Sequence, residues 1–222
     1  DYRATPVTAN DISEPTIWEI MGKLDQKVGA IGVPVTYPPH PVNGFMIPGL
    51  LTPPNSERQS YPRELIEEVR QVAPNFKFSP KEWTRGYSPE EWVEELKQDV
   101  DSRCKLTEYM MEAKSWNMMM IHFMETDQVQ HFMWNIHEKD EDWDPILEIY
   151  QRVDRAIGKI EENLDDDDTL FIMSDHGFGP LNYNFHIDTW LLKEGYINFR
   201  KNIGTRLKKL AFKLGITKET LY

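Results

Sequence analysis

The chain contains a single cysteine, Cys104, so no internal disulfide closes within it. That excludes the stapled class of small secreted scaffolds and favours a reducing compartment, read here as the cytoplasm, with Cys104 a buried structural thiol. No apolar run approaches the roughly eighteen residues a membrane-spanning helix needs. Positive charge is scarce as well: 25 Lys and Arg stand against 37 Asp and Glu, a formal net charge of −12. A general surface for nucleic-acid polymers is excluded, because neutralising phosphates needs the opposite balance. The opening Asp1-Tyr2-Arg3 carries no basic-then-apolar leader pattern. The chain starts without Met and ends on Thr220-Leu221-Tyr222, and is read as a piece bounded at both ends.

What is present is an ordinary globular composition. At 40% hydrophobic and 28% charged residues the 222-residue chain suits one sizeable core, not a disordered or fibrous protein. The acidic run Asp165 to Asp168 reads as a solvated face.

Patterning organises the chain. Ile17, Ile20, Met21 and Leu24 recur at helical spacing behind Ser13 and Pro15, which suit a cap and a first turn. Val28 to Val33 predicts a short buried strand. From Pro34 to Pro54 the density of proline, with Gly44 and Gly49, predicts a stiff, ordered loop. Arg63 to Val72 reads as a short helix, and residues 55–87 as a small cap. Ser88-Pro89-Glu90-Glu91 is a capping-box start for a long helix reaching Lys114, with Trp92, Val93, Leu96, Val100 and Cys104 in its apolar stripe.

The central block predicts chemistry. Met118 to Met124 is a nearly continuous apolar run, as in a strand buried on both faces, and helical sequence follows it. Ile146, Ile149, Val153, Ala156 and Ile160 trace a second helical face, and Thr169 to Met173 reads as another buried strand. Strand, helix, strand is a right-handed crossover with parallel strands. The fold class is therefore α/β, a mainly parallel sheet flanked by helices. Both strands then end on one edge of the sheet, where ligands of open α/β folds bind.

Each strand delivers one Asp and one His to that edge. Asp127 and His131 are four apart, which on a helix puts both on one face within reach of a single ion. Asp175 and His176 are adjacent, on a turn that Gly177 and Gly179 permit. Carboxylate oxygen and imidazole nitrogen suit zinc, manganese or iron, and two pairs suggest two ions. Singly, each pair reads as a surface pair or a turn. Two such pairs behind two successive strands have no structural reason to occur together.

Asp127-Gln-Val-Gln-His131 with Phe171-Ile-Met-Ser-Asp175-His176-Gly177 resembles the paired metal motifs of the alkaline phosphatase superfamily. The type I phosphodiesterase and nucleotide pyrophosphatase branch is the nearest match. Val33-Pro-Val-Thr-Tyr-Pro-Pro, Asn43-Gly44-Phe45 and Gly49-Leu-Leu-Thr-Pro are similar to a microbial, especially archaeal, group of that branch. The resemblance implies an alkaline phosphatase-like sheet, incomplete at both ends, and two divalent ions, zinc before manganese. One would be held by Asp127 and His131, the other by Asp175 and His176, acting on a small phosphorylated substrate through a phosphorylated Thr or Ser.

The family's first strand with its metal Asp, the nucleophile behind it and a last His have no copy here. Thr8, Ser13, Thr36 and Thr52 lack the nucleophile's context, and His186 reads as structural. The chain is thus expected to carry four ligands of a hydrolase whose nucleophile lies upstream of Asp1, and to be inactive alone. Two alternatives are a non-catalytic metal-binding fragment and a relative of cofactor-independent phosphoglycerate mutase. His122 reads as a satisfied core histidine, His40 and His137 as solvent-facing, and Arg200 to Lys213 as a basic amphipathic helix.

Overall fold

Val28-Gly-Ala-Ile-Gly-Val33 carries no charge, and in the computed structural model it forms β1 (Val28–Val33), buried along almost its whole length. The structure describes residues 5–84, 86–139 and 142–198, together with Gly204, Leu207 and Leu210. The chain divides into two compact units, Asp1–Gly179 and Pro180–Tyr222. Among the described residues the first unit holds a three-stranded sheet of order β2-β1-β3, with β2 (Gly44–Pro48) and β3 (Met118–Ile121) both parallel to β1. Val28 faces Gly44 on one side and Met118 on the other. The chain is α/β, with a parallel sheet flanked by helices.

Two expectations about the sheet are corrected. The Pro-rich segment is not all loop, because Gly44–Pro48 pairs with β1 and its Phe45, Met46 and Ile47 are buried. The apolar run Thr169 to Met173 is not a buried strand: Phe171, Ile172 and Met173 are 83%, 72% and 79% exposed, and no described residue pairs with them. A strand exists by its inter-strand ladder, and apolar composition without a neighbour to bond does not make one. For the same reason β3, at the sheet's edge, is half-buried instead of covered on both faces.

Beside a short 3-10 turn at Ala9–Asp11, the described elements outside the sheet are α-helices. α1 (Ile17–Lys23) starts later than Ser13 and Pro15 suggest, because Thr16 and Glu19 close a capping box. Its Ile17 and Ile20 remain exposed. α2 (Leu65–Val72) and α3 (Pro89–Ala113) follow, the latter opened by Ser88, whose Oγ accepts from the Glu91 N–H at 3.1 Å. α4 (Glu125–Lys139) leaves the end of β3, and α5 (Pro145–Glu161) begins with Asp144 accepting from the Leu147 N–H at 3.0 Å. In the second unit α6 (Ile187–Lys193) stacks Trp190 against Phe185 and Tyr196. The basic segment Arg200 to Lys213 lies outside the described residues except at Gly204, Leu207 and Leu210.

α3 is the spine of the first unit because its sequence is apolar on two faces. Leu106 and Met110 pack with Ile31, Phe45 and Ile47 of the sheet and Leu65 and Val69 of α2. Trp92, Leu96, Val100 and Cys104 pack instead with Val129 and Met133 of α4 and Ile146, Ile149 and Val153 of α5. α4 is thereby fixed by its apolar side, leaving its first turn at the carboxyl end of the sheet.

Candidate metal centre

β1 and β2 come close at that end. Gly32 has φ +73°, and a Cβ built there would lie 2.2 Å from Arg103 Nη1; one built at Gly49 would lie 2.1 Å from the Gly32 carbonyl oxygen. Only glycine tolerates both the conformation and the approach. Beyond β3, the His122 N–H still donates to the Ile31 carbonyl at 3.1 Å, and α4 starts three residues later.

The four sequence-predicted ligands fall within the first unit, around the first two turns of α4. Asp127 Oδ1 lies 3.4 Å from His131 Nε2 and 3.9 Å from His176 Nε2, and His176 Nε2 lies 3.5 Å from Asp175 Oδ2. Asp127 is the least exposed of the four and Asp175 the most. The loop bearing Asp175 and His176 meets α4 through Phe178, whose ring lies edge-on to His131 with centroids 4.8 Å apart and stacks on Trp134 at 5.7 Å. The Ser174 hydroxyl donates to the His176 carbonyl at 2.6 Å, and His176 Nδ1 lies 3.0 Å from the Gly177 carbonyl oxygen, which holds the turn. The two pairs thus meet although Thr169 to Met173 joins no sheet.

Two ligands about 2.0–2.1 Å from a tetrahedral ion stand about 3.4 Å apart. The Asp127–His131 and Asp175–His176 spacings match that geometry, and their oxygen and nitrogen donors are those zinc and manganese accept. These residues could hold metal as two pairs. Among the described residues no group of three or more His, Cys, Asp or Glu side chains is disposed to hold an ion.

Other candidates separate cleanly. The Thr36 hydroxyl donates to the Val33 carbonyl and that of Thr52 to the Gly49 carbonyl, both at 2.6 Å, and both threonines are buried. The Thr8 hydroxyl bonds Asp11. His40 bonds Asn10, His137 pairs with Asp144 at 3.0 Å, and His186 is exposed at the start of α6. His122 departs from expectation: its Nδ1 has no hydrogen-bond partner, and burial, aided by the Arg103 charge, holds the imidazole below its ordinary pKa.

Sequence reasoning missed the group beside it. Arg103 and Glu125 are 2% and 0% exposed and pair at 3.2 Å between Nη2 and Oε1. The available signal was an arginine next to Cys104 within an apolar stripe, which reads by default as a surface residue.

No helix among the described residues is long and apolar enough to cross a membrane. The sequence model of the family described as type I phosphodiesterase / nucleotide pyrophosphatase matches residues 3–215. No curated protein and no solved structure matches the chain.

Proposed function

The chain belongs to the type I phosphodiesterase / nucleotide pyrophosphatase family, and from that premise we propose that it is the metal-binding part of a hydrolase cleaving phosphodiester or pyrophosphate bonds in small phosphorylated substrates. The observation that carries the reading is the convergence of the two Asp/His pairs on Asp127 Oδ1 and His176 Nε2. Asp127 and His131 would hold one divalent ion and Asp175 and His176 a second, zinc first and manganese second. Ions held there would supply positive charge to the phosphoryl oxygens and to the attacking hydroxyl. Phe178, stacked on Trp134, packs edge-on against one side of His131.

The nucleophile is a Thr or Ser outside this chain. Supporting this, the hydroxyls of Thr36, Thr52, Thr126 and Ser174 are each engaged with a backbone carbonyl. The outer edge of β3, unpaired among the described residues, and the exposed run Leu170 to Met173 would each accept a further strand. The family's metal-bearing first strand is the segment we assign to that place. The free, buried thiol of Cys104 favours a reducing compartment, the cytoplasm.

The test is hydrolysis of bis-p-nitrophenyl phosphate, with phosphoglycerate as competing substrate, under added zinc or manganese. A chain extended to include both the upstream segment and the C-terminal His is expected to turn over the diester, with His176→Ala lowering the rate by several orders of magnitude. The 222-residue chain is expected to be inactive. Preference for phosphoglycerate would replace the hydrolase by a mutase. Turnover by the short chain that His176→Ala abolishes would place the nucleophile inside it.

A further inference from the structure

Arg103 and Glu125 form a buried ion pair that is poorly satisfied. One contact of 3.2 Å joins them, and Arg103 Nε, Arg103 Nη1 and Glu125 Oε2 find no hydrogen-bond partner. His122 Nδ1 and Gln128 Oε1 are buried and unpartnered too. Removing two charges from water is costly, and a single well-packed apolar pair of the same volume is often as stable or more so. Stability is therefore a weak reason for this pair to be there.

Its connections indicate what it does supply. Arg103 reaches out from the middle of α3, the most buried helix of the unit, and its Nη2 also donates to the Lys77 carbonyl at 3.3 Å. Its guanidinium lies 5.2 Å from the Phe76 ring centre, and Nη1 presses on Gly32 at the end of β1. Three fixed elements hold the arginine, and the arginine holds Glu125, the first residue of α4. Asp127 follows by two residues and His131 by six.

We propose that Arg103 and Glu125 are positioning residues that set the height and rotation of the first turn of α4, so that Asp127 and His131 present their donors to a metal ion. The proposal rests on the metal reading above. The physical need is one of tolerance. Metal–ligand distances are held within about 0.2 Å; the packing of Val129 and Met133 fixes which side of α4 is buried, but apolar contacts are non-directional and leave the first turn some freedom at that scale. A charged contact at the helix's first residue removes that freedom where the ligands begin.

Zinc calorimetry on the 222-residue chain, with thermal unfolding run in parallel, decides the matter. The double variant Arg103→Met/Glu125→Leu is expected to unfold cooperatively at or above the parent temperature, yet to bind zinc about 10–100-fold more weakly, as loss of outer partners of metal ligands does. Glu125→Gln, which keeps an oxygen for Nη2 but leaves the Arg103 charge without its counter-ion, is expected to unfold at a lower temperature than the parent and yet to keep most of the parent's zinc affinity. A double variant that folds like the parent and binds zinc equally well would overturn the proposal. So would one that loses its cooperative transition, since the pair would then be needed for the fold itself. A parent chain that binds no zinc, or whose binding His176→Ala leaves untouched, would defeat the metal reading, and this proposal with it.

Discussion

Asp99 sits where burial and pairing compete. Burial pushes its carboxyl up to about 6, against the opposing pull of Lys77, and the charge of Glu125 adds to the rise. Lys77 also loses from burial, but it contacts both Glu95 at 2.6 Å and Asp99 at 2.9 Å, and its ammonium is held above its ordinary value. Both values rise, which disfavours the charged carboxylate but favours the charged ammonium, because the lysine has two anions and the carboxylate only one cation at full contact. For Asp99 the folded state binds the proton more tightly than the unfolded one between pH 4 and 6. Its contribution to stability is therefore largest below pH 4 and is lost as pH rises through 6. The stability of the parent relative to Asp99→Asn is expected to fall by about 2–3 kcal/mol between pH 4 and pH 7 in urea unfolding. A difference that stays flat across that range would show that burial does not control this carboxyl. Cys104 is simpler: burial, then Glu108, pushes the thiol up to about 11. Iodoacetamide at pH 8 should leave the folded chain unmodified and label it once urea exposes the helix, read by mass spectrometry.

The elements were legible where local chemistry is self-sufficient. The long helix α3 matched because Ser88-Pro89-Glu90-Glu91 satisfies the helix's first N–H groups without help from elsewhere. Ser88→Ala should cost about 1 kcal/mol in chemical denaturation. Ile149, fully buried on α5 against α3 and α4, should cost about 2–5 kcal/mol as Ile149→Ala. An effect below that range would mean the helices close over the cavity. Strand β2 was hidden because Pro34 to Pro54 carries loop signals throughout, and only pairing with β1 makes Gly44–Pro48 a strand. The reverse error, at Thr169 to Met173, has the same cause, since a ladder is a property of two segments and is written in neither alone.

For the whole molecule, the meeting of Asp127, His131, Asp175 and His176 followed from the two spaced motifs but not by the expected crossover, since Thr169 to Met173 joins no sheet and the loop meets α4 through Phe178. The Arg103–Glu125 pair did not, because residues 22 apart in sequence announce no contact. The exposed run Phe171-Ile-Met173 is the feature most sensitive to surroundings. In hydrogen exchange it should lose its label within seconds in this chain and become protected in one extended upstream. Unchanged exchange would remove the support for a further strand beside β3. The account turns most on whether the two pairs hold metal, and zinc K-edge absorption of the loaded chain tests that directly. The predicted spectrum has oxygen and nitrogen neighbours alone at about 2.0–2.1 Å, with imidazole outer-shell scattering that weakens in both His131→Ala and His176→Ala. A spectrum of hydrated zinc, or imidazole scattering unchanged in both variants, would contradict it.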